Sequence, residues 1–161
     1  MMKTTQAIIS ITALAVLLTA CSQEEEPDQV ASQDTDGSTA QEQGLAALSE
    51  DDMRNASLQG ELGCTFTTNS EFVLLIAMGN VDSSDPAEGL IKLDNELYAV
   101  SAPGGFDGML RGATFEGEGH SVQVTVTGEA QDNGESPPYP AEITIEDTNQ
   151  TSVSGRWTCG P

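Results

Sequence analysis

The feature that most constrains the fold is a series of short segments in which apolar and polar residues alternate. The clearest is 121–127, where three valines alternate with Gln and Thr. Successive side chains of a strand point to opposite faces, so this pattern predicts a strand with one buried face. Alternation, or a short apolar run rich in β-forming residues, predicts further strands at 62–66, 72–78, 89–93, 96–101, 141–145 and 153–159.

Turn-forming residues separate these segments. Asp94-Asn95 lies between two of them and predicts a hairpin. Seven or eight short strands predict an all-β fold, either a small antiparallel barrel or a sandwich. Before the strands, Ser49 precedes three acidic residues that include Asp52, a composition typical of a capped helix start. We therefore expect a short leading helix over about 50–58, ending before Gly60.

The first 20 residues follow a different pattern. Lys3 is their only charge, an apolar stretch runs from Ala7 to Leu18, and small residues follow. A basic start, a short apolar run and a small-residue exit are typical of a secretory signal peptide. The apolar run is also shorter than the ~20 residues of a membrane-spanning helix. We therefore assign residues 1–20 to a signal peptide.

Leu18-Thr19-Ala20-Cys21 resembles the lipobox of bacterial lipoproteins. There a small residue precedes the cysteine, and an aliphatic residue lies three positions before it. The resemblance implies cleavage after Ala20, lipidation of the Cys21 thiol and acylation of the new amino terminus. The protein would then be anchored to a membrane of the cell envelope through Cys21. Ser22 resembles the residue at this position in lipoproteins sorted to the outer membrane of Gram-negative hosts.

Acidic residues dominate the rest of the chain, and the net charge of the full sequence is −21. Residues 22–52 hold ten acids and no base, and the stretch after Cys21 up to Gly44 has few apolar residues. Such a composition predicts a disordered acidic tether over 21–44, followed by a globular domain over 45–161. The negative charge argues against a nucleic-acid partner and against electrostatic binding of a polybasic segment to anionic lipid headgroups. It suits cations, basic proteins or solvation alone.

The three cysteines become an even pair once Cys21 is assigned to lipid. Cys64 and Cys159 would then meet in an oxidising compartment, where disulfides persist. We expect a Cys64–Cys159 bridge. Both cysteines fall on the apolar faces of the first and last predicted strands, so these two strands would be neighbours and would close a barrel.

Residues for catalysis are scarce. His120 is the only histidine, and no cysteine remains as a nucleophile, which argues against a serine–histidine or thiol enzyme and against the common zinc sites. Carboxylates are numerous enough that a glycosidase-type pair stays open. Two acidic pairs in turns, Asp82/Asp85 and Asp132/Glu135, lack a recognised calcium register. We predict no catalytic residue, no metal and no cofactor.

The segment 103–111 is a candidate interface loop. It combines glycines with Phe106, Met109 and Arg111, which are residue types enriched at protein interfaces. The alternative, which we favour, is a glycine-rich connection whose Phe106 and Leu110 fold back into the core.

The chain also resembles small bacterial lipoproteins that inhibit c-type lysozyme. The likeness covers size, anchor and the placement of Cys64 and Cys159, and 112–115 (Gly-Ala-Thr-Phe) matches the Gly-x-x-aromatic part of their Ser-Gly-x-x-Tyr stretch. Arg111 stands in place of the serine, and the Trp-x-Lys-Gly pattern that follows is missing, so the functional serine is not carried over. The resemblance implies a compact antiparallel barrel and a basic protein, such as lysozyme, as partner.

Together these observations predict a membrane-anchored envelope lipoprotein with a non-enzymatic acidic β domain in a binding or structural role. The alternative is an inhibitor of c-type lysozyme or a similar cell-wall hydrolase. A weaker alternative is a carboxylate-based hydrolase.

Overall fold

The computed structural model describes residues 44–146 and 151–161. The predicted signal peptide and the tether up to residue 43, with Cys21 and Ser22, lie outside these ranges. Eight antiparallel strands form a closed barrel in chain order, accompanied by two short helices. The elements are α1 (Glu50–Asn55), β1 (Leu62–Thr68), β2 (Val73–Gly79), β3 (Ala87–Leu93), β4 (Glu96–Ala102), α2 (Gly105–Met109), β5 (Thr114–Gly117), β6 (His120–Val126), β7 (Tyr139–Ile145) and β8 (Thr151–Gly160). The prediction of an all-β domain with a short leading helix is confirmed, and the barrel is the correct one of the two alternatives.

The barrel closes where the first strand pairs with the last. Cys64 of β1 lies directly opposite Cys159 of β8, with their Cα atoms 4.1 Å apart, and the two form a disulfide. The predicted bridge and the predicted neighbourhood of the terminal strands are therefore both confirmed. Closure leaves the sheet without a free edge.

Large side chains from the inward faces of the strands fill the interior. Trp157, Phe66 and Phe115 are fully buried, and the rings of Phe115 and Trp157 meet edge to face with centroids 6.3 Å apart. The indole Nε1 of Trp157 donates a 2.7 Å hydrogen bond to the carbonyl oxygen of Met109. A buried indole N–H needs such an acceptor, so this bond ties α2 to the core.

Each end of the barrel is covered by a segment that lies outside the sheet. At one end, the backbone N–H groups of Ala46 and Leu48 donate to the carbonyls of Lys92 and Val73, which places buried Leu45 and Leu48 over the core. At the other end, α2 inserts Phe106 and Met109. Both covers exclude water from the ends of the packed interior.

In two of the hairpins, a two-residue turn with positive φ connects the strands. Asp94 and Asn95 have φ of 46° and 72°, as the predicted hairpin requires. Glu118 and Gly119, with φ of 51° and 88°, form the turn between β5 and β6. The sequence missed β5, because its four residues are too few to show a period of two.

Helix α1 begins as predicted and ends earlier. The Ser49 hydroxyl accepts from the Asp52 N–H, and the Asp52 carboxylate accepts from the Ser49 N–H, which completes a capping box. The helix ends at Asn55 because Ala56 adopts an extended conformation. Residues 56–61, which we call the strap, then run along the outside of the barrel towards β1. Neither helix of the described ranges is long and apolar enough to cross a bilayer.

The disulfide closes a loop whose ends are separated by 95 residues, so its removal should destabilise the barrel strongly. In the chain-entropy model, a cross-link that closes a loop of this size lowers the conformational entropy of the unfolded chain. This raises the free energy of unfolding by about 4–5 kcal/mol. We expect a Cys64→Ala/Cys159→Ala variant to lose about 4 kcal/mol of unfolding free energy in urea titrations. Reduced wild-type protein serves as the control, since it keeps both side chains. A loss below about 1 kcal/mol in both would contradict the closure argument.

Candidate functional site

A groove on the outer surface of the barrel is the candidate binding site. It lies between the strap and the outer faces of β3, β4 and β5 and has a volume of about 610 Å³. This volume is within the usual range of ligand sites, about 300–1,000 Å³. We call it the outer groove, and the residues used below are Leu58, Glu88, Leu90, Ala99, Glu116 and Glu118.

The outer groove exists because the sheet carries small residues where the strap stands away from it. Ala99 and Ser101 of β4 line its floor and leave space above the strand. Strand β5 pairs with β4 through only the residues Ser101 and Glu116. Next to this pair, Gly117 lies so close to the Ala99 carbonyl that a Cβ there would collide with it. The close approach of β5 thus depends on a glycine.

Carboxylates lie on two sides of the groove. The Glu88 Oε2 accepts a 2.9 Å hydrogen bond from the Gln59 N–H of the strap, and the Glu118 Oε2 accepts a 3.0 Å bond from the Ala99 N–H. Glu116 projects from β5 and is exposed. Among the described residues that line this groove, none is Lys, Arg or His. The groove therefore offers a negative potential beside an apolar surface.

An ion pair holds the preceding helix, and through it the strap, against the barrel. The Lys92 Nζ of β3 lies 2.8 Å from the Asp52 Oδ2 of α1, and both side chains are only 16% exposed. The hydrogen bond from Lys92 is the largest cause that lowers the pKa of Asp52 to about 2, and the bonds from the Ser49 backbone and hydroxyl add to it. Asp52 thus joins the helix cap to the sheet.

A second, smaller groove of about 220 Å³ lies on the other side of the strap. Its lining includes Met53 of α1 together with Ile76 and Met78 of β2, and it contains no carboxylate. The strap therefore separates an acidic groove from an apolar one.

The candidate interface loop over 103–111 is not an exposed loop in the structure. Residues 105–109 form α2, and the side chains of Phe106 and Met109 are buried, so neither is available to a partner. This burial corrects the interpretation as an exposed loop and agrees with the alternative for Phe106. Leu110, which that alternative placed in the core, is 39% exposed instead. Arg111 is exposed, and its guanidinium carbon lies 5.3 Å from the centroid of the Tyr139 ring.

The residues considered for catalysis and metal binding do not form a common site. The His120 ring packs edge to face on Tyr98, with centroids 4.4 Å apart, and the Tyr98 hydroxyl donates to Glu96. That bond to a carboxylate is the main cause that raises the pKa of Tyr98. Within residues 44–146 and 151–161, no three His, Cys, Asp or Glu side chains are grouped so that they could hold a metal ion.

The stretch that resembles the lysozyme inhibitors contributes to the core. Phe115, the aromatic residue of that match, is fully buried against Trp157. Gly112, with φ of 92°, forms the bend between α2 and β5. The aromatic position therefore has a structural role here.

The outer groove was missed by sequence reasoning. Its residues come from four separate segments, and Glu88 and Glu116 occupy ordinary outward positions of short strands. A solvated strand face has the same pattern, so no local signal could identify them.

A comparison of the chain with protein-family models, with curated proteins and with solved structures finds no match.

The lowered pKa of Asp52 predicts an acid-dependent loss of stability. The pKa of Asp52 is about 2 in the folded protein and 3.8 in the unfolded chain. The ionised carboxylate therefore stabilises the fold at pH values above 3.8, and this stabilisation is lost as the pH falls towards about 2. We expect Asp52→Asn to reduce the unfolding free energy by about 1 kcal/mol at neutral pH, after allowance for solvent screening. The difference from wild type should shrink between about pH 5 and about pH 2.

Asp51→Asn is the matched control, because it removes the same charge from a side chain that is 82% exposed and pairs with Arg54. Urea unfolding at several pH values measures both variants. Equal effects of the two variants would refute a special role for Asp52.

Proposed function

We propose that the protein is a lipid-anchored envelope lipoprotein whose barrel is a non-enzymatic binding module for a basic protein. The observation that carries the proposal is the distribution of charge. Arg54, Lys92 and Arg156 each form an ion pair with a neighbouring carboxylate, and Arg111 stacks on Tyr139. The barrel's cations are thus engaged locally, while sixteen acids lie within 53–161. A negative field of this kind attracts cationic partners and accelerates their association.

Two features of the barrel support a binding role on its outer surface. The interior is occupied by Trp157, Phe66 and Phe115, so it does not have the hollow form of a ligand-carrying barrel. The groove carboxylates Glu116 and Glu118 are exposed, whereas a catalytic acid needs an apolar site that keeps it protonated. Binding is therefore the better proposal than carboxylate-based hydrolysis.

The anchor is proposed from the segment before the barrel. Its basis is the lipobox that ends in Cys21 and the acidic residues between Cys21 and Gly44. Several acyl chains give stable membrane retention, and a like-charged tether extends by self-repulsion. The barrel would then be held in the envelope, in the outer membrane where the host is Gram-negative.

Inhibition of a c-type lysozyme or a similar cell-wall hydrolase is the second candidate function. A closed antiparallel barrel with a disulfide between cysteines near both ends of the domain is the architecture that the resemblance implies. Basic lysozyme also fits the charge of the barrel. General binding remains the first proposal for two reasons. Arg111 replaces the functional serine of the inhibitors, and Phe115, the aromatic residue of the match, is buried.

The anchor predicts a specific modification. In a bacterial host, the wild-type chain should incorporate labelled palmitate and sediment with membranes. A Cys21→Ser chain should incorporate none, because it lacks the thiol that accepts the lipid, and it should keep residues 1–20. Mass spectrometry of the mature amino terminus checks the cleavage after Ala20. A soluble, unlabelled wild-type chain would refute the anchor and leave the barrel's binding role to be tested separately.

The binding role predicts a salt-dependent affinity for basic proteins. Surface plasmon resonance with the proposed mature chain, residues 21–161 with Cys21→Ser, would compare lysozyme and cytochrome c with the acidic serum albumin. We expect binding of the two basic proteins at about 20 mM NaCl, at least tenfold weaker binding at about 300 mM NaCl, and none of albumin.

Lysis of cell walls by lysozyme, measured with the chain present, separates the two candidate functions. Slower lysis supports inhibition, and binding of lysozyme without slower lysis supports the general binding module. Failure of both basic proteins to bind at low salt would overturn both.

A further inference from the structure

We propose that the outer groove binds a segment of a partner protein in which a Lys or Arg is flanked by apolar side chains. The inference rests on the proposed function, since it specifies which part of a basic partner the barrel contacts and where. It commits to a protein segment, because the groove combines charge with an apolar floor on the open outer face of the barrel.

The charged part of the site is held in place before any ligand arrives. Glu88 is fixed by the Gln59 N–H on the strap side, and Glu118 is fixed by the Ala99 N–H on the side of the β5–β6 turn. Each of these bonds uses the Oε2 atom of its carboxylate. The Oε1 atoms and the carboxylate of Glu116 are then available for a cation. Groups that are ordered in advance lose less entropy on binding, which favours affinity.

The apolar part of the site suits the stem of the same cationic residue or its neighbour. Leu58 of the strap and Leu90 of β3 line the groove, and the methyl group of Ala99 forms its floor. Lys and Arg bury their methylene stems on such surfaces while their charged heads reach polar groups. A purely hydrophilic cation would leave this surface uncovered, so the site favours a mixed sequence.

The first test uses a capped peptide of alternating Leu and Lys as the probe, with residues 21–161 that carry Cys21→Ser. Fluorescence anisotropy compares it with Leu–Glu and Gly–Lys peptides of equal length. We expect the Leu–Lys peptide to bind at least about fivefold more tightly than the Gly–Lys peptide, and the Leu–Glu peptide not to bind. Equal binding of the Leu–Lys and Gly–Lys peptides would refute the apolar part.

Charge variants locate the peptide on the barrel. Glu116→Gln should weaken binding of the Leu–Lys peptide by about fivefold, the effect of one well-placed ion pair. The control Glu142→Gln removes the same charge from the exposed outward face of β7 and should weaken it by less than about twofold. Equal effects of the two variants would refute the groove and would leave the general binding role intact.

Variants that fill the groove test the site without a change of charge. Ala99→Leu places a larger side chain on the floor, and Thr125→Leu adds an apolar group to the exposed face of β6 as the control. We expect only the first to weaken peptide binding, by at least about fivefold. Ser101→Leu replaces Ala99→Leu if circular dichroism shows that the latter does not fold. Unchanged binding in a folded floor variant would overturn the site.

Two further outcomes distinguish failure of the groove proposal from failure of the proposed function. If no cationic probe binds at low salt, the proposed function itself fails. If dodecyltrimethylammonium binds and responds to the groove variants while the Leu–Lys peptide does not, the site takes a small amphiphilic cation and the protein-segment proposal is wrong.

Discussion

The rest of the domain depends on the pairing of β1 with β8. These strands lie at opposite ends of the domain sequence, so their contact has the highest loop-closure cost in the barrel. The register places Cys64 opposite Cys159, and the disulfide relieves the cost by restricting the unfolded chain. Because closure leaves no sheet edge free, the barrel presents no edge strand with which another chain could pair.

Closure also decides where a ligand can bind. An eight-stranded barrel has an interior just wide enough to be filled by side chains, and here Trp157 and Phe66 occupy it. Leu45 and α2 cover the two ends, and the Trp157–Met109 hydrogen bond ties the second cover to the core. The proposed binding site therefore lies on the outside, where the strap separates an acidic groove from an apolar one.

The electrostatic design of the barrel combines a strong negative field with few fixed ion pairs. The Lys92–Asp52 pair is shielded from solvent and positions α1, whereas pairs such as Arg54–Asp51 are exposed and contribute little stability. The remaining carboxylates repel one another, which disfavours the compact state. A cationic partner would relieve this repulsion, so acidity and binding are physically linked.

By itself, the sequence determined the all-β class, the leading helix cap and the pairing of Cys64 with Cys159, because alternation at 121–127, Ser49 with Asp52, and two cysteines on the apolar faces of the terminal strands are local signals. It could not reveal β5, whose four residues show no period, or the burial of Met109, which lies 48 residues before Trp157, the residue that donates a hydrogen bond to its backbone carbonyl. Only the tertiary structure brought Leu58, Glu88, Ala99 and Glu118 together. Their meeting depends on barrel closure and on the path of the strap, which are long-range consequences of packing that no local pattern encodes.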